Sequence, residues 1–294
     1  MVLPETARRD PRRGEIPVMR ISCPLLSDFP VAGARRSIIL QYHISKESDQ
    51  RMARVKSRAI AALGIICLIL CLASGGVFVC RRLDYRESSK AYEKIREETV
   101  STELDVTDSS VVDTDQLLAM NPDYAFWIEI PGTEISYPVV QTANNSDYLR
   151  KSFIGEYKVG GCIFIDAACP SDLSGRNTVI YGHRMYDGTM FSGLRGYLNS
   201  DYAAEHTELR IYLREEIRIY RLFSVRQTDQ WDDYARTLFD SDKDYVAWME
   251  NQLSHSLYDP EPVSPDRANV VTLVTCAGDG TERLAVTWIQ ADIQ

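Results

Sequence analysis

The segment AIAALGIICLILCLASGGVFVC, Ala59–Cys80, runs for 22 residues without a charge. At about 1.5 Å of rise per residue, that is long enough for a helix to cross the ~30 Å hydrocarbon core of a bilayer. Lipid offers no partner to backbone N–H and C=O groups, so a single span has to be helical. Arg51, Arg54, Lys56 and Arg58 precede the run, and Arg81 and Arg82 follow it. The larger positive cluster lies before the span. It predicts a single-pass anchor with a cytoplasmic N-terminus and the rest of the chain outside. The competing reading is a cleaved signal peptide with Ala73-Ser74-Gly75 as its small-residue site. The apolar run continues through Val77, Phe78 and Val79, which a cleaved peptide does not need, so the anchor is preferred.

The anchor divides the charge. Residues 1–58 carry 12 Lys/Arg against 6 Asp/Glu, and the remainder carries 21 against 36. An acidic outer body argues against a nucleic-acid partner, whose phosphates it would repel. Residues 1–58 read as a cytoplasmic tail, rich in Arg and Pro and without clear periodicity in its first 51 positions. Met52, ARVKSR and the apolar run already make a complete signal-anchor. Translation is therefore expected to start at Met52, with the preceding residues an upstream over-call or a disordered tail; N-terminal sequencing of the native protein decides this. Residues 81–120 read as a helical linker and 121–294 as a separate folded domain outside the membrane.

Of seven cysteines, Cys67, Cys71 and Cys80 belong to the span and Cys23 to the tail, leaving Cys162, Cys169 and Cys276 outside. Three is odd, so at least one is unpaired. Cys162 and Cys169 could bridge, but a buried thiol at Cys162 is the favoured reading. No CxxC spacing occurs and the histidines are scattered, so no metal site is expected. The loop AGDGTE supplies too few oxygens for calcium. No cofactor is expected.

Ala91, Tyr92 and Ile95 form one face of a short helix, and DTDQLLAM reads as a second, capped by Asp or Thr. Strand patterns follow: AFWIEI, PGTEISYPVV after a Pro131-Gly132 turn, GGCIFIDAAC and RNTVIYGH. ELRIYLR and EIRIYRLFSV flank Glu215-Glu216 as a hairpin. SDKDYVAWMENQL interrupts as a helix capped by Ser241, with Tyr245, Trp248, Met249 and Leu253 as its stripe. VVTLVTC and RLAVTWI close the chain as two strands. At least seven strands joined mostly by turns predict a mostly antiparallel barrel or sandwich. Helices do not alternate with strands, which disfavours a parallel α/β sheet.

The last two strands pose a chemical question, because one ends on Cys276 and the next opens on Arg283. A thiol held at a strand end is rigid and exposed at the sheet rim, but it needs a partner that moves protons and a group that holds an oxyanion. As hairpin neighbours the two residues would sit opposite each other, and a guanidinium there could bind a tetrahedral oxyanion. Among four histidines, His43 lies in the tail, His206 in a polar stretch read as solvated, and His255 at a helix end. His183 shares with Cys276 the setting at the end of a strand. Asp166 and Asp187 could support it, although solvated loop carboxylates are the simpler reading.

TLVTC (Thr272–Cys276), Arg283 downstream and YGHRM (Tyr181–Met185) upstream resemble the sortases. NPDYAFWIEIPGTEISYPVVQ (Asn121–Gln141), SDYLRKSF (Ser146–Phe153), GGCIFID and NTVIYGH continue the likeness in order. The helical segment before the strands and the long helical insert between Asp229 and His255 are most similar to class B. The resemblance implies a closed β-barrel of about eight strands with an N-terminal helical pair and one long late helical insert. It implies a cysteine transpeptidase that cuts a C-terminal sorting motif of secreted proteins through a thioacyl intermediate on Cys276, then passes the acyl group to an amine of a cell-wall precursor or a pilin. His183 would protonate the leaving amine and deprotonate the incoming one, while Arg283 and a backbone N–H would hold the oxyanion. Substrate contacts would come from Asn145, Leu149, Tyr181, Val274 and Thr275; Val274 stands where the family often has Ser, which removes a hydroxyl. LPETA (Leu3–Ala7) resembles a sorting signal by coincidence, since it lies at the wrong end and lacks an apolar tail. A hydrolytic cysteine peptidase and a non-catalytic anchored binding module are the alternatives.

Overall fold

The computed structural model describes residues 31–100, 111–258, 268–277 and 281–291. The chain divides into two compact units, Met1–Ala73 and Ser74–Gln294. In the first, helix α1 (Val31–Thr99) includes part of the segment read as an aperiodic tail. No proline follows Pro30 within this helix to remove a backbone donor, and described side chains from Leu40 to Ala73 are exposed. Residues 1–30, with LPETA and Cys23, lie outside the described residues. α1 carries an apolar stretch long enough to cross a membrane.

The second unit contains the rest of α1, where Tyr92 and Ile95 are buried as the helical stripe predicts. Helix α2 (Thr114–Met120) follows, its first turn capped by the Asp113 carboxylate accepting from Gln116 N–H at 2.9 Å. The strands are β1 (Tyr124–Glu129), β2 (Ser136–Val140), β3 (Ile163–Ile165), β4 (Asn177–Tyr181), β5 (Glu208–Tyr212), β6 (Ile217–Asp229), β7 (Val270–Ala277) and β8 (Glu282–Gln290). They close into a barrel in the order β1-β2-β3-β4-β7-β8-β6-β5, which decides between barrel and sandwich. Most pairs are antiparallel, but β2/β3 and β4/β7 are parallel.

The run VVTLVTC lacks polar alternation because its strand is covered on both faces. On one face Val271 and Leu273 join the main core, with Trp288 opposite Val271 on the neighbouring strand. On the other, helix α4 (Asp242–Ser254) packs Tyr245, Trp248 and Met249 against Phe223, Val270 and Ile289. α4 starts where predicted, with Ser241 Oγ accepting from Asp244 N–H. A short 3-10 segment at Phe191–Leu198 and helix α3 (Ser200–Glu205) were not anticipated. At the end of α3, His206 is half-buried and stacks on the Tyr202 ring with centroids 4.1 Å apart, which corrects its reading as a solvated residue. Cys162 and Cys169 are both free and buried, so they form no bridge.

Candidate active site

Strand register assembles the site. In the parallel β4/β7 pair, Asn177 faces Val270, and each later pair keeps the same offset up to Tyr181 and Val274. Gly182 N–H then donates to the Val274 carbonyl at 3.1 Å, carrying the pairing one residue past β4. The same offset continued brings the His183 backbone abreast of Cys276. His183 therefore lies two residues beyond the strand rather than at its last position. Glycine is required in between: a Cβ at Gly182 would stand 2.5 Å from Ile163 Cδ1 and from Phe191 Cδ2. On the opposite side, antiparallel β8 pairs Arg283 directly with Cys276. Three separate strand ends thus meet at one rim. The Cys276 side chain and the loop residues 278–280 lie outside the described residues, so the calcium reading of AGDGTE goes untested there.

A cleft of about 370 Å³ opens at this rim, lined by His183, Arg283, Val274 and Thr275 together with Asn145, Leu149 and Tyr181. Every described member of the predicted set borders it. Val274 and Thr275 are buried, and the Thr275 hydroxyl has no hydrogen-bond partner among the described residues. Such a buried hydroxyl is costly until a ligand group meets it.

The His183 ring is held by its Nε2, 2.9 Å from the Leu149 carbonyl oxygen. A carbonyl only accepts, so the neutral ring carries its proton on Nε2 and keeps Nδ1 as its basic nitrogen. Burial pushes the His183 pKa down, the Leu149 carbonyl opposes this, and the Arg150 charge adds to the lowering. A depressed histidine pKa favours the neutral ring in the folded state. Its contribution to stability is present above the ordinary value of about 6.5 and erodes as pH falls from there towards the folded pKa. In an NMR titration the His183 ring is expected to have a midpoint below that of an unfolded-state histidine; a midpoint at or above it contradicts the burial argument.

Asp166 is no solvated loop carboxylate and does not touch His183. Its Oδ2 accepts from Asn145 Nδ2 at 2.9 Å and from the Tyr181 hydroxyl at 3.0 Å. Asn145 Oδ1 in turn accepts from Ala167 N–H at 2.7 Å. Burial first, and then the Asp166 charge, raise the Tyr181 pKa, so its hydroxyl stays protonated and donates. Asp187 accepts from Thr189 and also lies away from the cleft. Sequence reasoning could not link Asp166 with Asn145 and Tyr181, because those bonds join residues 21 and 15 positions apart.

The opposite wall was missed as well. Gln230, Trp231 and Tyr234 line the cleft, and Trp231 is 86% exposed. Gln230 Oε1 accepts from Arg283 Nη2 at 3.4 Å, while Arg283 Nη1 donates to the Glu282 carbonyl at 3.0 Å. The segment is pinned from behind, where Asp232 accepts from buried Arg226 and from Thr228. Asn177 Nδ2 adds bonds to the carbonyls of Tyr234 and Arg236. The usable signal was an exposed-looking Trp immediately after a strand.

A sortase domain family model matches residues 128–288. Sortase B of Staphylococcus aureus is 26% identical over 232 residues, covering 78% of this chain and 95% of that protein. Sortase B from Bacillus anthracis, solved in complex with AAEK1, is 30% identical with a TM-score of 0.62, covering 71% of this chain and 98% of that one. A Staphylococcus aureus sortase B–substrate complex gives 26% identity and a TM-score of 0.63, covering 72% and 100%. With the family model spanning more than half its length, this chain belongs to the sortases, the cysteine transpeptidases, and within them it is most like class B.

Proposed function

We propose that the chain is a membrane-anchored transpeptidase that cuts the C-terminal sorting signal of secreted proteins and joins the new carboxyl end to an amine of a cell-wall precursor or pilin. Ala59–Cys80 is the anchor, and the positive cluster before it supports a cytoplasmic N-terminus with the barrel outside. The observation that carries the reading is the shared register of β4, β7 and β8 beside a cleft bordered by His183, Arg283 and Thr275.

The Cys276 sulfur, its proton taken by His183 Nδ1, attacks the scissile carbonyl carbon. Arg283 and a backbone N–H stabilise the oxyanion that forms. As the C–N bond breaks, imidazolium returns its proton to the leaving amine, and a thioester remains. An incoming amine loses its proton to the neutral ring and attacks the thioester, and the C–S bond breaks. The peptide lies along Asn145, Leu149, Tyr181, Val274 and Thr275, with Trp231 across from them. Val274 offers this peptide only apolar surface, so the motif preference is expected to depart from enzymes with a hydroxyl there.

A sorting-peptide library incubated with and without hydroxylamine tests the reading. Hydroxamate products that increase with hydroxylamine are expected; products formed only with water would make the enzyme a peptidase instead. In the same assay Asp166→Ala frees Asn145 and Tyr181 to rotate. It is expected to raise KM by on the order of tenfold with little change in kcat, the size of one lost charge-assisted hydrogen bond. An unchanged KM would leave Asp166 without a positioning role.

A further inference from the structure

We infer that buried Arg226 is a positioning residue for the sorting peptide. Through Asp232 and Gln252 it clamps the turn at residues 229–236 to α4, and so fixes the cleft wall that Gln230, Trp231 and Tyr234 form. The inference rests on the transpeptidase reading above, which supplies the peptide.

Arg226 lies on β6, two residues before Thr228, which pairs with Arg283 across the β6/β8 ladder. It is only 5% exposed. Taking a guanidinium out of water is costly, and a buried ion pair is often no more stable than apolar side chains of the same volume. Stability alone therefore gives no reason for a charge here. What a guanidinium adds is direction, because its donors lie in one fixed plane. Nη1 donates to Gln252 Oε1 of α4 at 2.6 Å, and Nη2 donates to Asp232 Oδ2 in the turn. One side chain thus joins the late helix to the cleft wall.

Asp232 passes the constraint on. Its Oδ2 also accepts from the Thr228 hydroxyl, and its Oδ1 accepts from Asp233 N–H at 2.7 Å, capping the 3-10 turn Asp233–Ala235 that carries Tyr234. From α4, Trp248 Nε1 donates to the Asp233 carbonyl at 2.9 Å. On the strand side, Trp231 N–H donates to Asp229 Oδ1 at 2.7 Å. The Trp231 ring is so exposed that its own packing cannot hold it; the backbone on either side does. A large ring on a fixed backbone gives a peptide contact area without a segment to order on binding. A loosened clamp makes each binding event order the turn first. Arg283 keeps its bond to the Glu282 carbonyl in either case, so the loss falls on peptide binding, read in KM, rather than on kcat.

A double-mutant cycle on the full-length enzyme tests this, with cleavage of one sorting peptide as the readout. Arg226→Lys keeps the charge, but one ammonium cannot span both partners. It is expected to raise KM about tenfold with kcat within about threefold of the parent, the size of one lost charge-assisted hydrogen bond. Asp232→Asn removes the charge at the half-buried end of the clamp and is expected to move KM the same way; it carries the test where Arg226→Lys does not fold. Trp231→Ala, a surface change, raises KM by itself. Either clamp variant added to it is expected to raise KM by no more than about twofold further, because the clamp acts through the wall that Trp231 completes. Fully additive rises would reduce the clamp to general stability and overturn the inference. So would an unchanged KM in both clamp variants, or a loss confined to the amount of active enzyme. A parent enzyme that cleaves no sorting peptide would remove the transpeptidase reading and this inference with it.

Discussion

Cys276→Ala is expected to abolish both thioester formation and cleavage of a sorting peptide, a loss on the order of 10⁴-fold or more. Among the described residues of the barrel, no other thiol can take over. Cys162 and Cys169 are buried thiols whose pKa values burial pushes up to about 12 and about 11, so neither is a nucleophile at neutral pH. Position 276 lies at the end of a strand paired on both sides, so the smaller side chain removes the reacting atom and leaves the scaffold in place. Rates are to be read under single-turnover conditions beside far-ultraviolet circular dichroism of the variant. Cleavage within tenfold of the parent enzyme would remove Cys276 from the mechanism.

Arg283→Lys is the second large effect. The guanidinium uses Nη1 on the Glu282 carbonyl and Nη2 on Gln230, so its plane is set before substrate arrives. Lysine keeps the charge but cannot reproduce that fork, and one ammonium cannot hold two partners and still face an oxyanion. A lost oxyanion donor corresponds to a fall in kcat of about 10²–10³ with KM nearly constant, because the interaction is made mainly in the transition state. The kcat/KM split of the variant on one peptide decides this. A rise in KM at unchanged kcat would make Arg283 a substrate anchor instead.

The sequence carried this site far because its chemistry sits on short-range features. Two β-branched runs six residues apart specify an antiparallel pair, and with it Cys276 opposite Arg283. His183 needed more. Its place beside Cys276 depends on the parallel β4/β7 pair, whose strands are separated by β5, β6 and α4, and no local periodicity encodes that crossover. Here the family resemblance supplied what spacing could not. Barrel closure is non-local in the same way, since it depends on β1 pairing with β5. No helix was expected in FSGLRGYLNSDYAAE, whose two glycines and asparagine are poor helix formers, yet Asn199 serves as the cap of α3. β6 ran on to Asp229, beyond its apolar residues, and so delivered Gln230 and Trp231 to the cleft. Asp166 looked like a loop carboxylate because its role lies wholly in partners brought near by folding.

The central claim is that acyl transfer passes through a covalent bond to Cys276. Its most direct test is the intact mass of the enzyme, quenched soon after mixing with a cleavable sorting peptide in the absence of an amine. The account predicts an adduct equal to the N-terminal part of the peptide, mapped to Cys276 and lost on adding an amine as ligated product appears in equal amount. Product released with no adduct at any time, or an adduct mapped to another residue, would contradict it.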